Sequence, residues 1–85
     1  MVMGQLDAAA KAYRAAEVAV QRAEETATAR LKAARDARAE ARHRLAEAIV
    51  DAAREGTRQV DIIRITGYSR ERVRTILRAA GVEPD

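Results

Sequence analysis

Eighty-five residues make one domain at most, and the absence of cysteine excludes disulfides and thiolate metal sites. With no Trp, no Phe and two Tyr an ordinary aromatic core is excluded too, and large apolar side chains are scarce before Leu45. The net charge of +3 understates a bias of fourteen arginines to two lysines, and the planar guanidinium fork suits phosphates and base edges better than an ammonium.

From Gln5 to Glu55 there is neither proline nor glycine, and the segment is rich in Ala, Arg, Glu and Lys. That composition predicts one helix of roughly 75 Å at 1.5 Å per residue, ended by Gly56 as a C-cap glycine. The one soft spot is Thr26-Ala27-Thr28, where β-branched side chains could open the helix into a hairpin. No apolar run is long enough for a membrane span and no signal-peptide pattern opens the chain, so a soluble, cytoplasmic protein is expected.

On a helical wheel the segment carries a thin apolar stripe. A heptad step links Leu6, Tyr13, Val20, Ala27, Ala34, Ala41 and Ala48, with Leu31 and Leu45 beside it and Arg38 weakening the seam. A lone helix gains little from so narrow a face, so pairing into a homodimer is expected. The alternative is a solvated Ala-rich helix. An antiparallel partner centred near Ala29 and Arg30 sets Glu17 opposite Arg42, Glu24 opposite Arg35 and Lys11 opposite Glu47. A parallel partner also faces unlike edges. Side-chain size favours antiparallel pairing, which puts Tyr13 near Ala46 and Val20 near Ala39, large against small.

After Gly56 the elements become short. Thr57 is the candidate cap of a helix to about Ile65, Thr66-Gly67-Tyr68 a turn, and Ser69 the cap of a last helix to about Ala80, ended by Gly81. Ile62 and Ile63 would face Val73 and Ile76 across the turn, with Gly67 supplying positive φ and Tyr68 plugging the corner. Leu45, Ile49 and Val50 would form the third wall, and Leu77 and Val82 would close the core below. The fold expected is all-α: a coiled-coil-like long helix over 1–44 and a helix-turn-helix module over 45–85, whose first helix continues the long one.

This spacing resembles the helix-turn-helix superfamily. Ser69-Arg70-Glu71-Arg72-Val73-Arg74-Thr75-Ile76 is most similar to the recognition helix in the final DNA-binding region of primary bacterial sigma factors, and the resemblance covers about Gln59 to Arg78. Ile63 departs from it, standing where the superfamily usually has Ala or Gly. Eighty-five residues leave no room for the polymerase-binding and promoter-melting regions of a whole sigma factor. The resemblance implies groove-facing roles for Ser69, Arg70, Glu71, Arg74, Thr75 and Arg78. Arginine can grip guanine, and Glu71 can accept from cytosine or orient a neighbouring arginine. Arg58, Gln59 and the first amides of the helix they open would hold phosphate.

Enzymatic readings find no footing. His43 is the only histidine and stands between Arg42 and Arg44 with no second ligand residue of its kind. There is no glycine-rich phosphate loop, and no cofactor, metal or small-molecule ligand is expected. The partners expected are double-stranded DNA and a second copy of the chain, in a transcriptional or mobile-element regulator. A coiled-coil scaffold or adaptor that binds a protein, and a sequence-blind nucleoid protein, are the competing classes. An antiparallel dimer would hold its two recognition helices on the order of 60–70 Å apart, about two turns of B-DNA, and a parallel one about one turn.

Overall fold

The computed structural model describes the backbone of residues 2–83 and the side chains of residues 4–83. It is all-helical: α1 (Val2–Arg54), α2 (Gln59–Thr66) and α3 (Arg70–Ala79). The chain divides into two compact units, residues 1–37 and residues 38–85, and the division falls inside α1. Among the described residues no helix is long and apolar enough to cross a membrane.

In the first unit there is helix and nothing for it to pack on. Every described side chain is exposed except Ala10, which is half-buried. The helix continues through Thr26-Ala27-Thr28, so the hairpin alternative is not realised. It also starts at Val2, upstream of the expected Gln5, and carries Gly4 inside it. A glycine costs only about 1 kcal/mol against alanine in a helix, too little to stop one that alanine favours over the following turns.

The second unit owns the core. Ile49 from α1, Ile62 from α2, and Val73 and Leu77 from α3 are buried together, each contributing about 1.5–3 kcal/mol by leaving water. Leu45, Val50, Ile63, Tyr68, Ile76 and Val82 pack around them. Ile63, the bulky departure from the superfamily pattern, is accommodated half-buried at the edge of this cluster.

Glycine turns end all three helices. At the end of α1, Thr57 N–H donates to Ala52 C=O (2.9 Å) and Gly56 N–H to Ala53 C=O (3.1 Å), with Gly56 at φ 99°. This paired bonding satisfies carbonyls that a helix end otherwise leaves open. The same pattern recurs after α3, from Val82 to Leu77 (2.9 Å) and Gly81 to Arg78 (3.0 Å). Arg54 adds a long link, its Nη2 donating to Ala80 C=O at 3.4 Å.

Thr57 does not cap α2. Its amide is committed to Ala52, and the N-cap position falls to Arg58, extended at φ −72° and ψ 146° with no side-chain capping bond. The helix therefore begins at Gln59 and runs one residue past the expected Ile65.

Candidate nucleic-acid interface

The turn between α2 and α3 is stitched by side chains. Thr66 Oγ1 donates to Ile62 C=O (2.8 Å) and accepts from Tyr68 N–H (3.1 Å). Gly67, at φ 73°, donates its amide to Ile63 C=O (2.9 Å). Ser69 is the N-cap of α3, its hydroxyl accepting from Arg72 N–H at 3.1 Å. The turn therefore fixes where α3 starts, and with it which residues face outward.

The register of α3 follows from its apolar residues. Val73 and Leu77 lie one turn apart and are buried, and Ile76 is half-buried beside them. At 100° per residue, Glu71, Thr75 and Arg78 fall on the opposite side, Arg74 stands on the flank about 60° from Leu77, and Arg70, about 20° from Leu77, stands on the core side at the helix start. All five are exposed, as are Ser69 and Arg58. The structure thus places Ser69, Arg70, Glu71, Arg74, Thr75 and Arg78 along the first turn and outer face of one helix. Arg58 stands apart from them, at the start of α2.

Gln59 requires a correction. It was expected to touch phosphate, but only 6% of its surface is exposed. The first turn of α2 faces the core on this side, so Gln59 is part of the packing beneath the module rather than its surface. Arg58 is the residue there that remains open to solvent.

The cations of α3 are not equivalent. Arg72 lies over Tyr68, 4.4 Å from guanidinium carbon to ring centroid. Arg78 pairs with Glu71 at 3.6 Å, both side chains largely in solvent, so the pair is weak and easily exchanged for another partner. Thr75 Oγ1 donates to Glu71 C=O at 2.9 Å and keeps its lone pairs for an outside donor. Among the described residues no side-chain hydrogen bond or ion pair engages Arg70 or Arg74. These two guanidiniums, one turn apart, are the ones available for bidentate contacts.

The stripe residues stand differently. Leu6, Tyr13, Val20, Ala27, Leu31, Ala34 and Ala41 are all exposed, strung along α1 and not brought together by the fold of one chain. His43 is engaged by Glu47, Nε2 to Oε1 2.9 Å, with both side chains exposed. Among the described residues no cluster of three His, Cys, Asp or Glu is placed to hold a metal. Sequence reasoning missed Arg72, whose spacing of four from Tyr68 was the available signal, and Arg54, which reaches the end of α3. No protein-family model, curated protein or solved structure matches the chain.

Proposed function

We propose that the protein is a small dimeric, sequence-specific DNA-binding regulator of the cytoplasm that reads the major groove with α3. The observation that carries this reading is the division of α3 into two faces. Val73 and Leu77 lock one face into the core, while Arg70 at the helix start and Arg74 on the flank stay exposed with no partner of their own, beside Thr75 and Arg78. Side chains at the start of such a helix reach base edges, while cations on neighbouring elements hold the phosphates. Arg70 and Arg74 take the role of base readers, and Arg58 that of a backbone anchor.

Selection of bound genomic fragments followed by footprinting tests this. The expected result is a defined site on which Arg74→Ala costs about 1–3 kcal/mol and relaxes preference at one base pair. Arg58→Ala should weaken all sequences about equally and flatten the salt dependence. Salt-sensitive but sequence-blind binding would make the protein an architectural one, and no affinity for DNA would make it a scaffold or adaptor.

A further inference from the structure

The side of the second unit where α1 meets α2 is left open. Leu45, Ala48 and Ala52 of α1 and Ile65 of α2 line an apolar groove above the buried Ile49 and Ile62. Ile65 is 71% exposed, more than any other large apolar side chain among the described residues. Ala48 is exposed as well.

The groove is continuous in sequence with the α1 stripe, of which Leu45, Ala48 and Ala52 are the last turns. The sizes along that stripe are lopsided. Small alanines line the groove, and large side chains stand near the other end of the helix, where Leu6 is 61% and Tyr13 66% exposed. In the antiparallel register that sets Tyr13 against Ala46, Leu6 falls against Ala53. The turns from Leu6 to Tyr13 then run along residues 46–53, the stretch of α1 that borders the groove. The same register brings Glu17 to Arg42 and Glu24 to Arg35, and Lys11 to within one residue of Glu47, three pairs of unlike charge.

We propose that the groove is filled by the N-terminal turns of α1 from a second copy of this chain, with Leu6 and Tyr13 of that copy packed against Ala48, Ala52 and Ile65. The proposal rests on the homodimer reading and adds to it a place where dimerisation reaches the DNA-reading module. Each module is completed by the other chain's N-terminal turns, so α2 is braced only in the dimer.

The chain has no cysteine, which makes site-directed crosslinking clean. Ala9→Cys and Ala48→Cys are prepared as separate full-length proteins and treated with a short bismaleimide, alone and mixed, without DNA. Crosslinked dimers in the mixture and in neither protein alone are expected. Crosslinking of either protein with itself would show a parallel arrangement and overturn the proposal. A dimer by light scattering that gives no crosslink would overturn the groove while leaving dimerisation standing, and a monomer would remove both. Ile65→Ser is the second variant, since this exposed side chain supports little of the single chain's own fold. It should raise the dimer dissociation constant about tenfold or more with helicity unchanged at high concentration. An unchanged constant would show that nothing packs on Ile65. Because no measurement includes DNA, failure of the DNA-binding reading leaves these outcomes unaffected.

Discussion

Arg72 stacks on Tyr68, its guanidinium carbon 4.4 Å from the ring centroid. The backbone amide of the same arginine is the one capped by Ser69 at 3.1 Å. Arg72 is thus tied to the turn twice, through its ring contact and through its amide, and is the arginine of α3 that serves structure. Its neighbours two residues away on either side, Arg70 and Arg74, are the ones left for a ligand.

A double-mutant cycle measures that division. Tyr68→Leu keeps an apolar plug but removes the ring face, and Arg72→Ala removes the cation. Urea melts of the two singles and the double should give a coupling of about 0.5–1 kcal/mol, the size of an exposed cation–π contact. Arg72→Ala should also leave the pattern of base preference intact, unlike Arg74→Ala. A footprint altered equally by both would place Arg72 in the groove.

The cap at Ser69 sets the start of α3. Ser69→Ala should cost about 1 kcal/mol in a urea melt, and Ser69→Asp should recover most of it, because a carboxylate also caps and suits a helix N-terminus. If Ser69→Ala is neutral, the hydroxyl does not hold the amide of Arg72 in solution.

Gly67 has φ 73°, and no atom lies within 4 Å of where a Cβ would stand. Gly67→Ala should therefore cost only the backbone strain of a left-handed alanine, about 1–2 kcal/mol. Gly67→Val should cost clearly more, since β-branching adds strain at the same φ. Equal losses for the two would point to a steric neighbour instead.

The module was largely legible because its punctuation is local. Gly56, Gly67 and Gly81 each adopt positive φ within two residues of a helix end, and Ser69 caps as its type suggests. Ile49, Ile62, Val73 and Leu77, each placed in the core from the sequence, are the four that are buried together. Failures came where a residue had two uses. Thr57 has the side chain of a cap, but its amide closes the turn after α1, and the helix start moved on to Gln59. Gln59 is polar at a helix start, which reads as surface, yet the packing of α2 turns it inward. The α1 stripe is visible in sequence, but one chain offers it nothing to bury against.

Ala34→Glu or Ala27→Glu places a charge on the exposed stripe of α1, where a single chain would tolerate it. In a homodimer it should give monomers by light scattering, with lower helicity and a melting temperature that no longer rises with concentration. A mass equal to that of the unmodified protein would show that the stripe is not the interface.

Ile49 is 2% exposed in a core otherwise drawn from α2 and α3, and it belongs to a helix unbroken from Val2 to Arg54. The smallest piece that keeps this core whole therefore begins near Leu45, not at the loop after Gly56. A recombination event that cut at that loop would carry off α2 and α3 with a hole in place of Ile49, a loss of several kcal/mol from a very small core. Excision of the module with its core intact thus requires a cut within a helix.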